Sequence, residues 1–143
     1  MKQLTVNEIP LMYEGGRLFL EEAKFPAPFS EKSFRSHWRV LISADLGEVW
    51  AEFENGKIVG AIGMAFLEDT FTNVPTAFEQ FWWVHPDHRN SRLGLELWHK
   101  FEERARERGA KRLVMVHLAS LNLQGMFERR GYSLIEQTFA KEL

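Results

Sequence analysis

Phe81-Trp82-Trp83-Val84-His85-Pro86-Asp87-His88-Arg89-Asn90-Ser91-Arg92-Leu93-Gly94-Leu95-Glu96-Leu97 is the stretch on which the fold turns. An aromatic, apolar run ends at His85-Pro86, and a short polar turn follows. From Leu93 the apolar residues Leu97, Phe101 and Ala105 recur every four positions, the helical period. The stretch is therefore a strand, a tight turn and a helix start. The first N–H groups of a helix have no intrahelical acceptor and sit at the positive end of its dipole, which makes an anion site. Arg89 and Arg92 add charge-assisted donors. Asn90 and Ser91 are small, and Gly94 lets a ligand approach the backbone. Residues Asn90, Ser91, Arg92, Leu93, Gly94 and Leu95 thus suit a pyrophosphate. An ordinary strand-to-helix connection with solvated arginines has the same local pattern, and spacing alone leaves both open.

Working outward, Thr76 to Val84 forms an aromatic strand that ends in this turn. Before it, Glu48 to Phe53 and Ile58 to Leu67 flank Asn55-Gly56, a strong hairpin signal. A polar loop, Glu68 to Pro75, joins the second of these to the third. Nearer the start, Leu4 to Val6 predicts a short strand. Asn7 is placed to cap a helix through Ala23, with Pro10 in its first turn. Ser30 caps a second helix carrying Phe34, Trp38, Leu41 and Ile42 on one face. Downstream, Gly109 ends the helix begun at Ser91, and Arg112 to Leu118 is an apolar strand. Ser120 caps a helix with Leu123, Met126 and Phe127, closed by Gly131, and Tyr132 to Ala140 is a last strand. The order β-α-α-β-β-β-α-β-α-β predicts an α/β (α+β) mixed sheet with helices on both faces, in a single domain over 1–143.

Composition narrows the function. The chain has 143 residues, 45% hydrophobic and 27% charged, enough for a packed core. Its 13% aromatic residues, with five Trp and twelve Phe, leave room for an aromatic-lined pocket, although bulky packing alone accounts for them. There is no cysteine, so disulfides, thiolate metal ligands and a thiol nucleophile are excluded. The net charge of −2 lacks the basic excess of a nucleic-acid binder. No apolar run approaches a membrane span, and a cytoplasmic location is expected. The histidines show no ligand spacing, so no metal is expected.

Val84, Pro86, Arg89 and Gly94 resemble the acetyl-CoA-binding signature of the GNAT N-acetyltransferase superfamily, valine, proline and arginine or glutamine followed by x-x-Gly-x-Gly or Ala. Arg92 replaces the first glycine of that pair. Ser120 to Tyr132 resembles the second cofactor element: Gly131-Tyr132 matches its closing glycine-aromatic pair, Ser120 stands where an asparagine is frequent, and Phe127 where many members have a tyrosine. The element order agrees along the whole chain.

The resemblance implies an acetyl-CoA-dependent N-acetyltransferase, in which a primary amine attacks the thioester directly in a ternary complex. It implies that the backbone of Trp82, Trp83 and Val84 holds the pantetheine, with Ser120 and Phe127 beside it. Glu79 is the candidate base, because aromatics around a carboxylate raise its pKa; a solvent-facing residue of an alternating strand is the other reading. His117, at the end of the following strand, is a candidate proton relay, although a strand-end histidine is more often merely exposed. The position where other members carry a glutamate is Met115. Phe127 has no proton to give, which keeps open a non-catalytic acyl-CoA-binding module on the same fold. The acceptor is a small-molecule or peptide amine. Glu14, Glu21, Glu22, Glu68 and Asp69 would suit a polycation if they line its pocket, and an exposed face of the middle strands would suit a homodimer. No nucleic-acid or membrane partner is expected.

Overall fold

The computed structural model of the chain describes residues 1–118 and 121–143. Strand β1 (Lys2–Gln3) leads into a 3₁₀ helix (Val6–Met12), α1 (Tyr13–Ala23) and α2 (Glu31–Ser43). Then come β2 (Gly47–Glu54), β3 (Lys57–Glu68), β4 (Pro75–Val84), a 3₁₀ turn (Pro86–His88), α3 (Leu93–Glu107), β5 (Arg112–Val114) and α4 (Gln124–Arg129). The sheet order is β1-β2-β3-β4-β5, antiparallel except for the parallel pair β4–β5. Among the described residues no helix is long and apolar enough to cross a membrane.

Local chemistry accounts for most of these boundaries. Asn55 and Gly56 both take positive φ, 51° and 78°, as a tight primed hairpin turn requires. Ser30 caps α2, its hydroxyl accepting from Ser33 N–H at 3.2 Å. The N-terminal helical segment starts earlier than Asn7: Glu8 reaches back to accept from Thr5 N–H at 2.9 Å. Pro10 lies within the 3₁₀ helix, and regular α-helix begins only at Tyr13. The first strand is Lys2–Gln3 rather than Leu4 to Val6, because Leu4 is drawn into the core.

The sheet is buried on both faces. On one, the 3₁₀ helix and α2 cover it with Ile9, Met12 and Trp38 against Val49, Ala61 and Phe81. On the other, α3 lays Leu93, Leu97, Phe101 and Ala105 over Val59, Ile62, Met64 and Ala77. Among the described residues these helices cover both faces of the middle strands. A bidentate ion pair ties α3 to β2: Arg104 donates to the buried Glu48 carboxylate at 2.8 and 2.9 Å, and Trp50 Nε1 donates at 2.7 Å. Burial alone would raise the Glu48 pKa, but the Arg104 and Trp50 bonds outweigh it and hold the carboxyl below its ordinary value.

Two expectations fail at the C-terminal end. Strand β5 stops at Val114 rather than Leu118. Residues Tyr132 to Ala140 form no strand, and Leu134, Ile135 and Phe139 are exposed. β5, only three residues long, offers them little edge to pair with. The Ser120 cap of the last helix lies outside the described residues.

Candidate active site

The site begins where β4 and β5 part. Their ladder runs only through Thr76–Arg112, Ala77–Leu113 and Phe78–Val114. From Glu79 onward the outer edge of β4 has no ladder partner among the described residues, which leaves backbone groups there open to another molecule, except that Val84 O accepts from Arg89 Nε. A bulge accompanies the parting: Gly63 pairs with Phe81 and Met64 with Glu79, so Gln80 is the extra residue. The bulge was not foreseen from the sequence, whose only local trace of it is the interrupted alternation at Glu79-Gln80.

Glu79 sits in this fork and is only 4% exposed, so it is not the solvent-facing strand residue that alternation allowed. Its carboxylate accepts from Val116 N–H at 2.8 Å. Burial pushes its pKa up to about 7, against the smaller opposing pull of the Val116 bond. The neighbouring His117 accepts at Nε2 from Leu123 N–H, 3.1 Å away, so a neutral ring carries its proton on Nδ1. Met115 is half-buried against the α3-side core.

At the end of β4 the turn meets α3. Ser91 Oγ accepts from Leu93 N–H at 3.2 Å. Among the described residues the N–H groups of Asn90, Arg92, Gly94 and Leu95 have no acceptor, which leaves four free donors around the positive end of the helix dipole. Arg92, at the cap position, has no ion-pair partner among the described residues. Arg89 differs: its Nε donates to Val84 O at 3.1 Å and its guanidinium pairs with Glu22. It braces the turn against β4 and α1. His85 shapes the turn through Asp87 N–H, and His88 pairs with Glu54. A β-carbon on Gly94 would meet Trp82 at 3.4 Å, an ordinary contact, so the fold itself tolerates one there. Trp82 donates its indole N–H to Gly94 O at 3.1 Å, joining β4 to the helix start.

Phe127 does not stand in an open channel. It is 8% exposed, with its ring centroid 4.8 Å from Trp98, 5.9 Å from His117 and 5.8 Å from Tyr132. Tyr132 donates to Glu102 and accepts from Trp98, and burial pushes its pKa up to about 12. Neither ring is placed to supply a proton. Ser120 lies outside the described residues. Of the acidic residues that would suit a polycation, Glu22 pairs with Arg89, and Asp69 holds the Phe71 and Thr72 N–H groups of the β3–β4 loop, at the far end of β4.

The acetyltransferase (GNAT) family profile matches residues 17–132. The chain belongs to that family. Similar solved structures include a predicted acetyltransferase with acetyl-CoA from Clostridium acetobutylicum, 15% identical over 99% of this chain and 94% of that one, TM-score 0.81. A GCN5-related N-acetyltransferase from Ralstonia eutropha is 18% identical, over 99% and 96%, with TM-score 0.78. AAC(6')-Iy in complex with the bisubstrate analog CoA-S-monomethyl-acetylneamine is 14% identical, over 99% and 95%, with TM-score 0.74. At these identities the likeness is one of fold. No curated protein sequence matches the chain.

Proposed function

We propose that this chain is an acetyl-CoA-dependent N-acetyltransferase acting on a primary amine by direct attack. The observation that carries this is Glu79, a buried carboxylate with a pKa near 7 held in the fork between β4 and β5. Such a group is a base tuned to neutral pH. The acetyl-CoA pyrophosphate takes the free N–H groups from Asn90 to Leu95, with Arg92 as its charged partner. The pantetheine follows the open edge of β4 at Trp82 to Val84, and its amides take up the unpaired backbone groups there. The amine enters from the α1–α2 side.

Glu79 removes one proton from the ammonium. The free nitrogen forms a bond to the thioester carbonyl carbon, and a β4 backbone N–H stabilises the oxyanion. Collapse breaks the C–S bond and releases the CoA thiolate, which takes up the second proton as the acylated nitrogen gives it up. His117, next to the residue that bonds Glu79, acts here only as a donor through Nδ1–H, because its Nε2 already accepts from Leu123 N–H. An acyl-CoA-binding module without chemistry would use the same helix start but would have no need of a buried carboxylate at the fork.

The cofactor assignment is tested by calorimetric titration of acetyl-CoA. Arg92→Ala should weaken binding about tenfold, as loss of one charge-assisted bond does. Arg89→Ala should weaken it less, because that guanidinium is spent on Val84 and Glu22. Unchanged affinity in the double variant would remove the phosphate site from α3.

A further inference from the structure

A cavity of about 370 Å³ lies between α1, α2 and β4, within the range of roughly 300–1,000 Å³ usual for small-molecule sites. Its walls are Phe19, Phe29, Phe34, Trp38, Phe81 and Trp83. Its polar lining is Ser30, Ser33, His37 and Gln80, with no carboxylate, lysine or arginine among the described residues. The charge at its rim is already neutralised: Arg17 lies over the Phe29 ring, 5.8 Å from its centroid, and pairs with Glu31. A second ammonium in this cavity would lose its water and face no anion. Aromatic rings, by contrast, offer their faces and edges to another ring.

The walls are built close on purpose of sequence rather than of helix propensity. Gly15 and Gly16 stand together inside α1, where glycine is disfavoured. A β-carbon on Gly15 would lie 2.9 Å from the Trp83 ring, and one on Gly16 only 2.4 Å from Phe29. The two glycines let α1 close over both rings. Trp83 Nε1 is buried with no hydrogen-bond partner among the described residues. Along β4, Phe81 and Trp83 face the cavity, and the bulge at Gln80 separates them from Glu79.

We infer that the acceptor is an arylalkyl primary amine, one ammonium on a short alkyl arm whose aromatic ring fills the cavity between α1, α2 and β4. This rests on the acyltransferase reading given above and names its substrate class. The ring is held among Phe29, Phe34, Trp38 and Phe81, and the arm carries the amine past Gln80 through the parting of β4 and β5 toward Glu79, which pairs with Met64 and points to the α3 face.

The test compares kcat/KM for phenethylamine, tryptamine, spermidine and neamine at saturating acetyl-CoA. The arylalkyl amines should exceed spermidine and neamine at least tenfold; equal or better turnover of either polyamine overturns the inference. Phenethylamine should also change the intrinsic Trp fluorescence saturably, since Trp38 and Trp83 line the cavity. Ser33→Asp places a carboxylate in the lining at the first turn of α2, where the helix dipole tolerates it, and should raise spermidine turnover relative to phenethylamine at least fivefold. If no amine is acetylated, the acyltransferase reading fails; saturable phenethylamine binding then still supports the pocket's class, and its absence overturns it.

Discussion

Glu79 carries a cost that shows in stability. Its carboxyl has a pKa of about 7 in the fold, against 4.5 for an ordinary glutamate. Below pH 4.5 it is protonated whether the chain is folded or not. Between those values the unfolded chain ionises and the folded one does not, so the native state loses stability as pH rises toward 7, by up to about 3 kcal/mol. Glu79→Gln keeps an oxygen for Val116 N–H and cannot ionise. It should melt at the same temperature as the natural protein near pH 4.5 and several degrees higher at pH 8. A parallel pH dependence in both would place the Glu79 carboxyl in water. At position 127 the phenyl ring is enclosed by Trp98, His117 and Tyr132, so a tyrosine hydroxyl there would be buried. Phe127→Tyr should lower stability by about 1–3 kcal/mol in urea unfolding without a gain in turnover; faster turnover would put position 127 at the departing sulfur.

Among the elements, α3 serves two ends at once. Its start presents the free N–H groups, and its last turns are tied to β2 through Arg104 and Glu48. Removing the guanidinium leaves a buried carboxylate without its ion partner. Arg104→Ala should therefore cost about 3 kcal/mol, and a second change, Glu48→Gln, should recover part of it; denaturant midpoints of the single and double variants decide this. The start of α3 was legible in the sequence because one short stretch holds every part of it: proline, small residues, arginines and glycine. What Arg89 does there was not, since its partners Glu22 and Val84 meet it only through the fold. The cavity wall was half legible. The aromatic excess left room for it, but which rings converge depends on how α1 and α2 cross β4. The Gln80 bulge and the early end of β5 are matters of register between strands, and no single strand encodes that.

For the molecule as a whole, alternation, the Asn55-Gly56 turn and the helical periods prescribed the order of elements through α4. The exception is Tyr132 to Ala140: a strand needs an edge to pair with. The same parting of β4 from β5 that shortens that edge creates the fork where Glu79 sits, and the central claim rests on that fork. The most direct test is the pH profile of thiol release from acetyl-CoA with an arylalkyl amine, with the acetylated product identified by mass. The natural protein should transfer the acetyl group with kcat/KM rising through an apparent pKa of about 7. Glu79→Gln should lose about two orders of magnitude in rate and that limb of the profile, with its acetyl-CoA affinity intact. Full activity in Glu79→Gln across the same pH range, or no thiol release from the natural protein with any amine, would contradict the account.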